Sequence, residues 1–401
     1  MNQAFIFDAV RTPRSKGKKD GALHEVKPIE LGAGLLRELQ SRHDLDTAYV
    51  DDVMMGCATP VGEQGSNVAK AIAQHAGWDE SVAGVQMDRF CASSLDAVNS
   101  AAQKILSGWN KLILAGGVES MSRIPMGTAG GAILFDPEFV MQQVTVPQGV
   151  AADMIATLGG WDRETIDQYA LTSQQRAAHA QDNGFFDRSV VPVKDLNGLT
   201  ILDKDDFIKR DSSLEKLSSL KASFVQMGEM GMDDHLLSKF PHVQEIDHVH
   251  TPGNSSGIVD GASAVLIGSE QAGKDLGLTP RGRIVAGAVT AADPSIIFTG
   301  PALASRKCLQ IAGLKASDID LWEINESFAA SVLNYQQHFA IADDSLNVNG
   351  GAIAMGHPLG ATGAMIIGTA LDELERTGKG TALCTLCVAS GMGAATIIER
   401  V

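Results

Sequence analysis

The feature that most constrains the fold is an internal echo. Val50-Asp51-Asp52-Val53-Met54-Met55-Gly56 has a counterpart in Ile319-Asp320-Leu321-Trp322-Glu323-Ile324-Asn325. Leu112-Ile113-Leu114-Ala115 has one in Ala382-Leu383-Cys384-Thr385-Leu386. Each run is short and apolar, as in a strand buried on both faces. Helical patterns stand around these runs, so strands and helices alternate, which predicts a parallel, layered α/β sheet. The likeness is weak in letters and stronger in the order of elements. It predicts two duplicated α/β halves facing each other, with any site between them drawing residues from both. A chain of 401 residues is too long for one ordinary core.

Other segments fit that frame. Ala4 to Val10 reads as a buried strand, Pro28 to Leu39 as a helix opening near a proline, and Asn67 to His75 as another helix. Ile258 to Ser269 contains a further buried strand. Arg11-Thr12-Pro13-Arg14-Ser15-Lys16-Gly17-Lys18-Lys19 reads as a solvated basic surface loop. From about Ser122 the character changes. Gly, Pro, Met and Gln become frequent, Asp162 to Gln181 is a polar helix, and Leu196 to Phe207 suggests a small hairpin. This middle third reads as an insertion.

Charge narrows the partners. Lys and Arg number 32 against 48 Asp and Glu, a net charge of −16. Such a chain is a poor nucleic-acid binder and no nucleic-acid partner is expected, because phosphate contacts dominate such affinity. An anionic substrate needs a local basic patch. The five scattered cysteines (Cys57, Cys91, Cys308, Cys384, Cys387) make no disulfide framework and point to a reducing, cytoplasmic location. No signal peptide opens the chain, and no apolar run approaches the ~18 residues of a membrane span.

Four stretches carry chemistry. Met87 to Leu95 places Cys91 at the start of a helix whose apolar face is Leu95, Val98, Ala101, Ala102 and Ile105. The unpaired N–H groups there favour a thiolate, the nucleophilic form. Asn347 to Gly363 sets His357 among Gly350, Gly351, Gly356, Gly360 and Gly363, just before Pro358. Few large neighbours can cover this histidine. Neither a phosphate-loop nor a dinucleotide glycine spacing is present. Leu383 to Gly393 holds a Cys-x-x-Cys pair, but no second pair exists to complete a metal site, and no metal is expected. Cys384 reads as core and Cys387 as the end of a strand at a Gly-containing turn. Trp322 to Ala330 puts Asn325 and Glu326 after an apolar strand. Asn325 is either a helix N-cap or a residue that holds a water or orients a base.

Together these stretches resemble the thiolase family. Asp88 to Ser93 matches its Asn-Arg-x-Cys-x-Ser motif, and Asn325 to Ala329 its Asn-Glu-x-Phe-Ala motif. Gly350 to Gly360 matches Gly-Gly-x-x-x-x-Gly-His-Pro-x-Gly, and Cys387 to Gly393 partly matches Cys-x-Gly-Gly-Gly-x-Gly. The likeness spans essentially the whole chain, with the motifs in order. Two departures stand out. Asp88 replaces the usual Asn, and Ala389-Ser390 replace two glycines, each at about 1 kcal/mol if the turn needs φ > 0 there.

The resemblance implies a five-layered αβαβα fold. Residues 1–121 and 251–276 would form one half, 277–401 the other, and 122–250 an inserted CoA-binding loop domain. It implies reversible, CoA-dependent cleavage of 3-oxoacyl-CoA through an acyl-cysteine, as in fatty-acid β-oxidation. Cys91 is then the nucleophile, His357 the base and oxyanion donor, and Cys387 the acid/base. Asn325 holds a water at the oxyanion, and the Ala389 N–H serves a second oxyanion hole. CoA enters as co-substrate, with no permanently bound cofactor, and would meet Ser256, Lys216 and Lys221. A homodimer or homotetramer is expected. Pro147-Gln148-Gly149 lacks the His-Met that acetoacetyl-specific relatives carry there, which favours longer or bulkier 3-oxoacyl groups over an acetyl-CoA acetyltransferase. A decarboxylating ketoacyl synthase would need a histidine in place of Asn325 and would lack Cys387. A non-catalytic acyl-CoA-binding relative would be expected to have lost one of the reactive residues.

Overall fold

The computed structural model describes residues 2–401. Strands β1 (Ala4–Arg11), β2 (Ser15–Lys16), β3 (Asp52–Gly56), β4 (Ala83–Met87) and β5 (Leu112–Ser120) precede the inserted stretch. Within that stretch β6 (Val193–Lys194) pairs with β7 (Thr200–Leu202). Then come β8 (Val259–Gly268), β9 (Gly282–Ala291), β10 (Leu321–Ile324), β11 (Thr381–Val388) and β12 (Met392–Arg400). The main sheet runs β10-β11-β12-β9-β1-β8-β5-β3-β4, with β2 on β8.

The echo in the sequence is an echo in topology. The order β3-β5-β8-β1 in one half repeats as β10-β11-β12-β9 in the other. The pairing sense repeats too: β3–β5 and β10–β11 are parallel, while β5–β8, β8–β1, β11–β12 and β12–β9 are antiparallel. The halves join where Ala4–Ile6 of β1 pairs with Gly282–Ile284 of β9. The sheet is therefore mixed, which corrects the expectation of a parallel one. The strand β8 returns after the insertion rather than after a crossover helix, and β12 returns through a tight hairpin. Both connections bring a strand back antiparallel.

Side-chain alternation builds the layers. Along β5, Leu112, Leu114 and Val118 face a core shared with Leu31 and Leu35 of the helix Pro28–His43. Ile113 and Ala115 face a second core shared with Val98 and Ile367. Along β11, Cys384 and Leu386 join that second core, while Leu383 turns to a third with Leu309 and Val332. Strand period two thus feeds a different core from each face. The helices Ser93–Ser107 and Thr362–Thr377 fill the central layer and touch strands of both halves. The result is α-β-α-β-α. At the crossing of the two central helices, a Cβ on Gly363 would lie 2.4 Å from the Leu95 nitrogen, so only glycine permits this approach.

Two local readings need correction. Arg11 to Ser15 are buried and only Lys18 to Asp20 are exposed, so the basic loop is not solvated over its first half. Arg11 is buried because Asp205 meets it at 2.8 Å through two parallel bonds. The small hairpin sits at Val193–Leu202, with Leu196 in its turn rather than in a strand arm.

The middle of the chain is tied to the second half by polar contacts. Glu326 accepts from Tyr169 at 2.8 Å and Ser173 at 2.6 Å, both on the helix Arg163–Asp182, and from the Ile353 N–H at 3.0 Å. Asp153 accepts from His250 Nδ1 at 2.7 Å, and His250 Nε2 accepts the Ala330 N–H at 3.4 Å. His248 lies between Asp153 (2.7 Å) and Asp233 (3.0 Å). The Asp153 bond is the main cause that raises its pKa to about 9. A raised folded-state pKa means the contribution to stability is complete below the ordinary value of 6.5 and fades as pH rises through about 9. The melting temperature of the protein should exceed that of His248→Gln at neutral pH and converge with it above about 9. A constant gap across that range would rule out the charged pair as the cause.

Candidate active site

Cys91 sits in the one-turn helix Phe90–Ala92, which runs directly into Ser93–Ser107. Phe90 has φ +48°, a left-handed conformation rare for a bulky residue and typical of functional turns. Asp88 Oδ1 accepts the Phe90 N–H at 2.7 Å. Ser93 Oγ accepts the Arg89 N–H at 2.9 Å and donates to the Phe90 carbonyl at 2.6 Å. These bonds hold the strained turn. An Asn oxygen could accept the Phe90 bond equally well, so the Asp88 departure leaves this geometry intact. The thiol, however, is not poised as a thiolate. Burial, then the neighbouring Cys387, push its pKa well up. Desolvation outweighs the helix N-terminus, which corrects the sequence expectation.

His357 is 4% exposed. Its backbone N–H donates to the Gly257 carbonyl at 2.9 Å. Thr362 Oγ1 lies 3.1 Å from the Pro358 carbonyl and 2.6 Å from His357 Nδ1. The hydroxyl gives its one proton to the carbonyl, so it accepts from Nδ1–H. That tautomer leaves the lone pair on Nε2, which is buried and without a partner. Burial, then the Arg14 charge, lower the imidazole pKa to about 3. Arg14 donates to the Gly356 carbonyl at 3.1 Å and, with its own pKa near 10, remains a cation at neutral pH. At rest the site therefore holds a neutral imidazole beside neutral thiols.

Cys387 is the last residue but one of β11, and Cys384 lies in the sheet core, as expected. The hairpin to β12 turns through Ala389, Ser390 and Gly391. Ser390 has φ +59° and Gly391 φ +74°, whereas Ala389 does not enter the left-handed region. Only one of the two glycine replacements therefore carries the αL cost of about 1 kcal/mol. The N–H groups of Cys91 and Ala389 donate to no acceptor among the described residues.

Asn325 is not a helix N-cap. The next helix starts at Ala329 and has no side-chain cap. Instead Asn325 Nδ2 donates to Ser327 Oγ at 2.9 Å, and its Oδ1 is buried without a partner. Ser327 Oγ lies 3.1 Å from Cys387 Sγ. The Ser327 carbonyl accepts the Ser256 N–H at 2.9 Å, one residue before the Gly257 that holds His357. The turn bearing Cys91 packs against β11 and against Leu359–Ala361 beside His357. Cys91, His357, Cys387, Asn325, Ala389 and Ser256 are thus gathered by one chain of contacts drawn from both halves.

The two lysines stand apart, on the surface of the inserted stretch. Lys216 is paired with Asp211 at 2.6 Å, and Lys221 is exposed with no ion pair among the described residues. Sequence reasoning missed Arg14, Ser327, Thr362 and Glu119. Glu119 Oε2 accepts the N–H groups of Ala58 at 2.8 Å and Gly360 at 2.9 Å, tying the histidine loop to the first half. Ser327 and Thr362 lie inside the motifs that were read. A hydroxyl two residues past Asn325, and another five past His357, were the available signals.

A duplicated αβαβα body with two thiols and an imidazole at the junction of its halves defines an acyl-transferring enzyme. The comparisons specify which. The thiolase N-terminal domain matches residues 4–234 and the thiolase C-terminal domain residues 278–400. The 3-oxoadipyl-CoA/3-oxo-5,6-dehydrosuberyl-CoA thiolase of Escherichia coli is 41% identical over the full length of both chains. The steroid 3-ketoacyl-CoA thiolase FadA6 of Mycobacterium tuberculosis is 39% identical, over 100% of this chain and 95% of its own. The crystal structure of the Bacillus anthracis acetyl-CoA acetyltransferase superposes with a TM-score of 0.86 at 33% identity, covering 100% of this chain and 99% of that one. The chain belongs to the thiolase family. Among the described residues no helix is long and apolar enough to cross a membrane.

Proposed function

We propose that the protein cleaves 3-oxoacyl-CoA thioesters with CoA, reversibly, through an acyl group carried on Cys91. The observation that carries this reading is that Cys91, Cys387 and His357, the last with an unpartnered Nε2, are each buried and linked by one chain of contacts.

The resting neutrality of the site gives the order of events. Burial disfavours both the thiolate and the imidazolium, so the proton moves only when an electrophile draws the sulfur forward. Cys91 Sγ attacks the 3-keto carbon, and its proton passes to His357 Nε2. The carbon–carbon bond breaks and leaves an acetyl-CoA enolate. The protonated Nε2 now donates to the enolate oxygen, with a water held by Asn325 as the second donor. The orphaned Oδ1 of Asn325 supports a bound water there. Cys387, whose pKa burial raises only to about 11, gives its proton to the enolate carbon and then takes one from incoming CoA. The free N–H groups of Cys91 and Ala389 suit the oxyanion formed when CoA attacks the acyl-cysteine; as it collapses, the C–S bond to Cys91 breaks and His357 Nε2 returns its proton to the departing sulfur.

CoA is a transient co-substrate in this scheme. Ser256, half-buried beside Ser327, suits the pantetheine arm, and unpaired Lys221 suits a phosphate better than Lys216, which Asp211 already neutralises. A cytoplasmic homodimer or homotetramer fits the acidic chain with free thiols. Its named relatives act on 3-oxoadipyl and steroid 3-ketoacyl thioesters, which supports acyl groups beyond acetoacetyl. Thiolysis rates on 3-oxoacyl-CoA esters of increasing length test this. Rates that rise with length support it. Cleavage of acetoacetyl-CoA alone would make the protein an acetyl-CoA acetyltransferase and sink the broader reading.

A further inference from the structure

We propose that Ser327 is a positioning residue for the Cys387 thiol. It would fix the direction of the thiol proton and stabilise the thiolate that Cys387 becomes between its two proton transfers. This inference rests on the reading of Cys387 as the acid/base.

The hydrogen-bond inventory around Ser327 favours one arrangement, the one in which its hydroxyl proton has an acceptor. Asn325 Nδ2 donates to Ser327 Oγ at 2.9 Å, so the serine oxygen acts as acceptor on that side. The hydroxyl has a single proton of its own. Its one other side-chain neighbour within bonding range is Cys387 Sγ at 3.1 Å. The bond therefore runs from the Asn325 N–H to the Ser327 oxygen, and from the Ser327 O–H to the Cys387 sulfur. The sulfur accepts, and its own S–H is left to point elsewhere, toward the carbon that must receive it. A thiol that donated to the serine would have to break that bond before protonating an enolate.

The same bond favours the second half of the cycle. After the proton has left, a charged sulfur lies in a site closed to bulk water, with Cys387 only 3% exposed. A hydrogen bond to a charged acceptor is worth about twice a neutral one, and more where the surroundings are dry. The polarised chain from Asn325 through Ser327 supplies it. Consistent with this, the Ser327 bond is the largest influence lowering the pKa of Cys387, whereas Cys91 has no hydroxyl donor and is raised further. Backbone bonds hold the serine in place without its side chain. Its N–H donates to the Asn325 carbonyl at 3.0 Å, and its carbonyl accepts from Ser256 at 2.9 Å. Removing the hydroxyl should therefore leave the loop where it is.

The test measures the pH dependence of Cys387 alkylation, located by mass spectrometry, in full-length protein with Cys91→Ala as background. Ser327→Ala should raise the apparent pKa of Cys387 by about one unit, the scale of a lost bond to a charged group. Ser327→Thr, which keeps the hydroxyl, should leave the titration close to that of the parent. With Cys91 intact, Ser327→Ala should lower kcat by about tenfold while KM changes little. An unchanged titration in Ser327→Ala, or equal shifts in the Ala and Thr variants, would overturn the proposal. A Cys387→Ala protein that still turns over normally would instead overturn the acid/base reading on which it rests.

Discussion

Cys91→Ala is expected to lower thiolysis by about 10⁴-fold or more. The loss should be this large because nothing else in the site can carry the acyl group. Cys387 is the nearest thiol, but its sulfur is held by Ser327 at 3.1 Å and lies at the end of β11, not at the helix entrance. Cys57, Cys308 and Cys384 are buried in other parts of the core. The substitution removes one sulfur from a turn already fixed by Asp88 and Ser93, so the fold should persist. Mass spectrometry after mixing with an acyl-CoA should find the acyl group on the Cys91 peptide of the parent and on no peptide of the variant. Turnover of Cys91→Ala within about tenfold of the parent would remove the acyl-cysteine from the mechanism.

The second large effect is expected at His357. His357→Ala removes both the acceptor of the Cys91 proton and a donor to the enolate, each worth about 10²- to 10³-fold. Losses at one side chain that acts twice are not additive, so the expected fall in kcat/KM is about 10³- to 10⁴-fold. The pH profile carries a further expectation. Because burial and Arg14 lower its pKa to about 3, His357 is already neutral throughout the ordinary range. The acid limb of kcat/KM in the parent should therefore show no step near the ordinary histidine value of 6.5. A step there that vanishes in a folded His357 variant would mean that the free imidazole is solvated, contrary to this geometry.

The order of strands and helices was legible because it is written in local periodicity. Apolar residues at spacings of three and four marked the helix Ser93–Ser107, and continuous apolar runs marked β5 and β11. The duplication was legible in the same way, since repeated order survives where repeated letters do not. Cys91, His357, Asn325 and Cys387 could be singled out as candidates because each lies in a motif with fixed spacing.

What the tertiary structure alone decided is everything that depends on which segments meet. Strand sense was one such property: β8 runs antiparallel to β5 although the same apolar pattern would suit a parallel strand. Burial was another. Arg14 reads as one more cation of a surface loop, and only the packing of that loop under Gly356 makes it a neighbour of His357. The protonation of Cys91 was decided likewise. A helix entrance acting alone favours the thiolate, but desolvation by residues far apart in the chain is the larger effect and has no local signature. The contact from Ser327 to Cys387 spans 60 positions, so neither motif, read by itself, contains it.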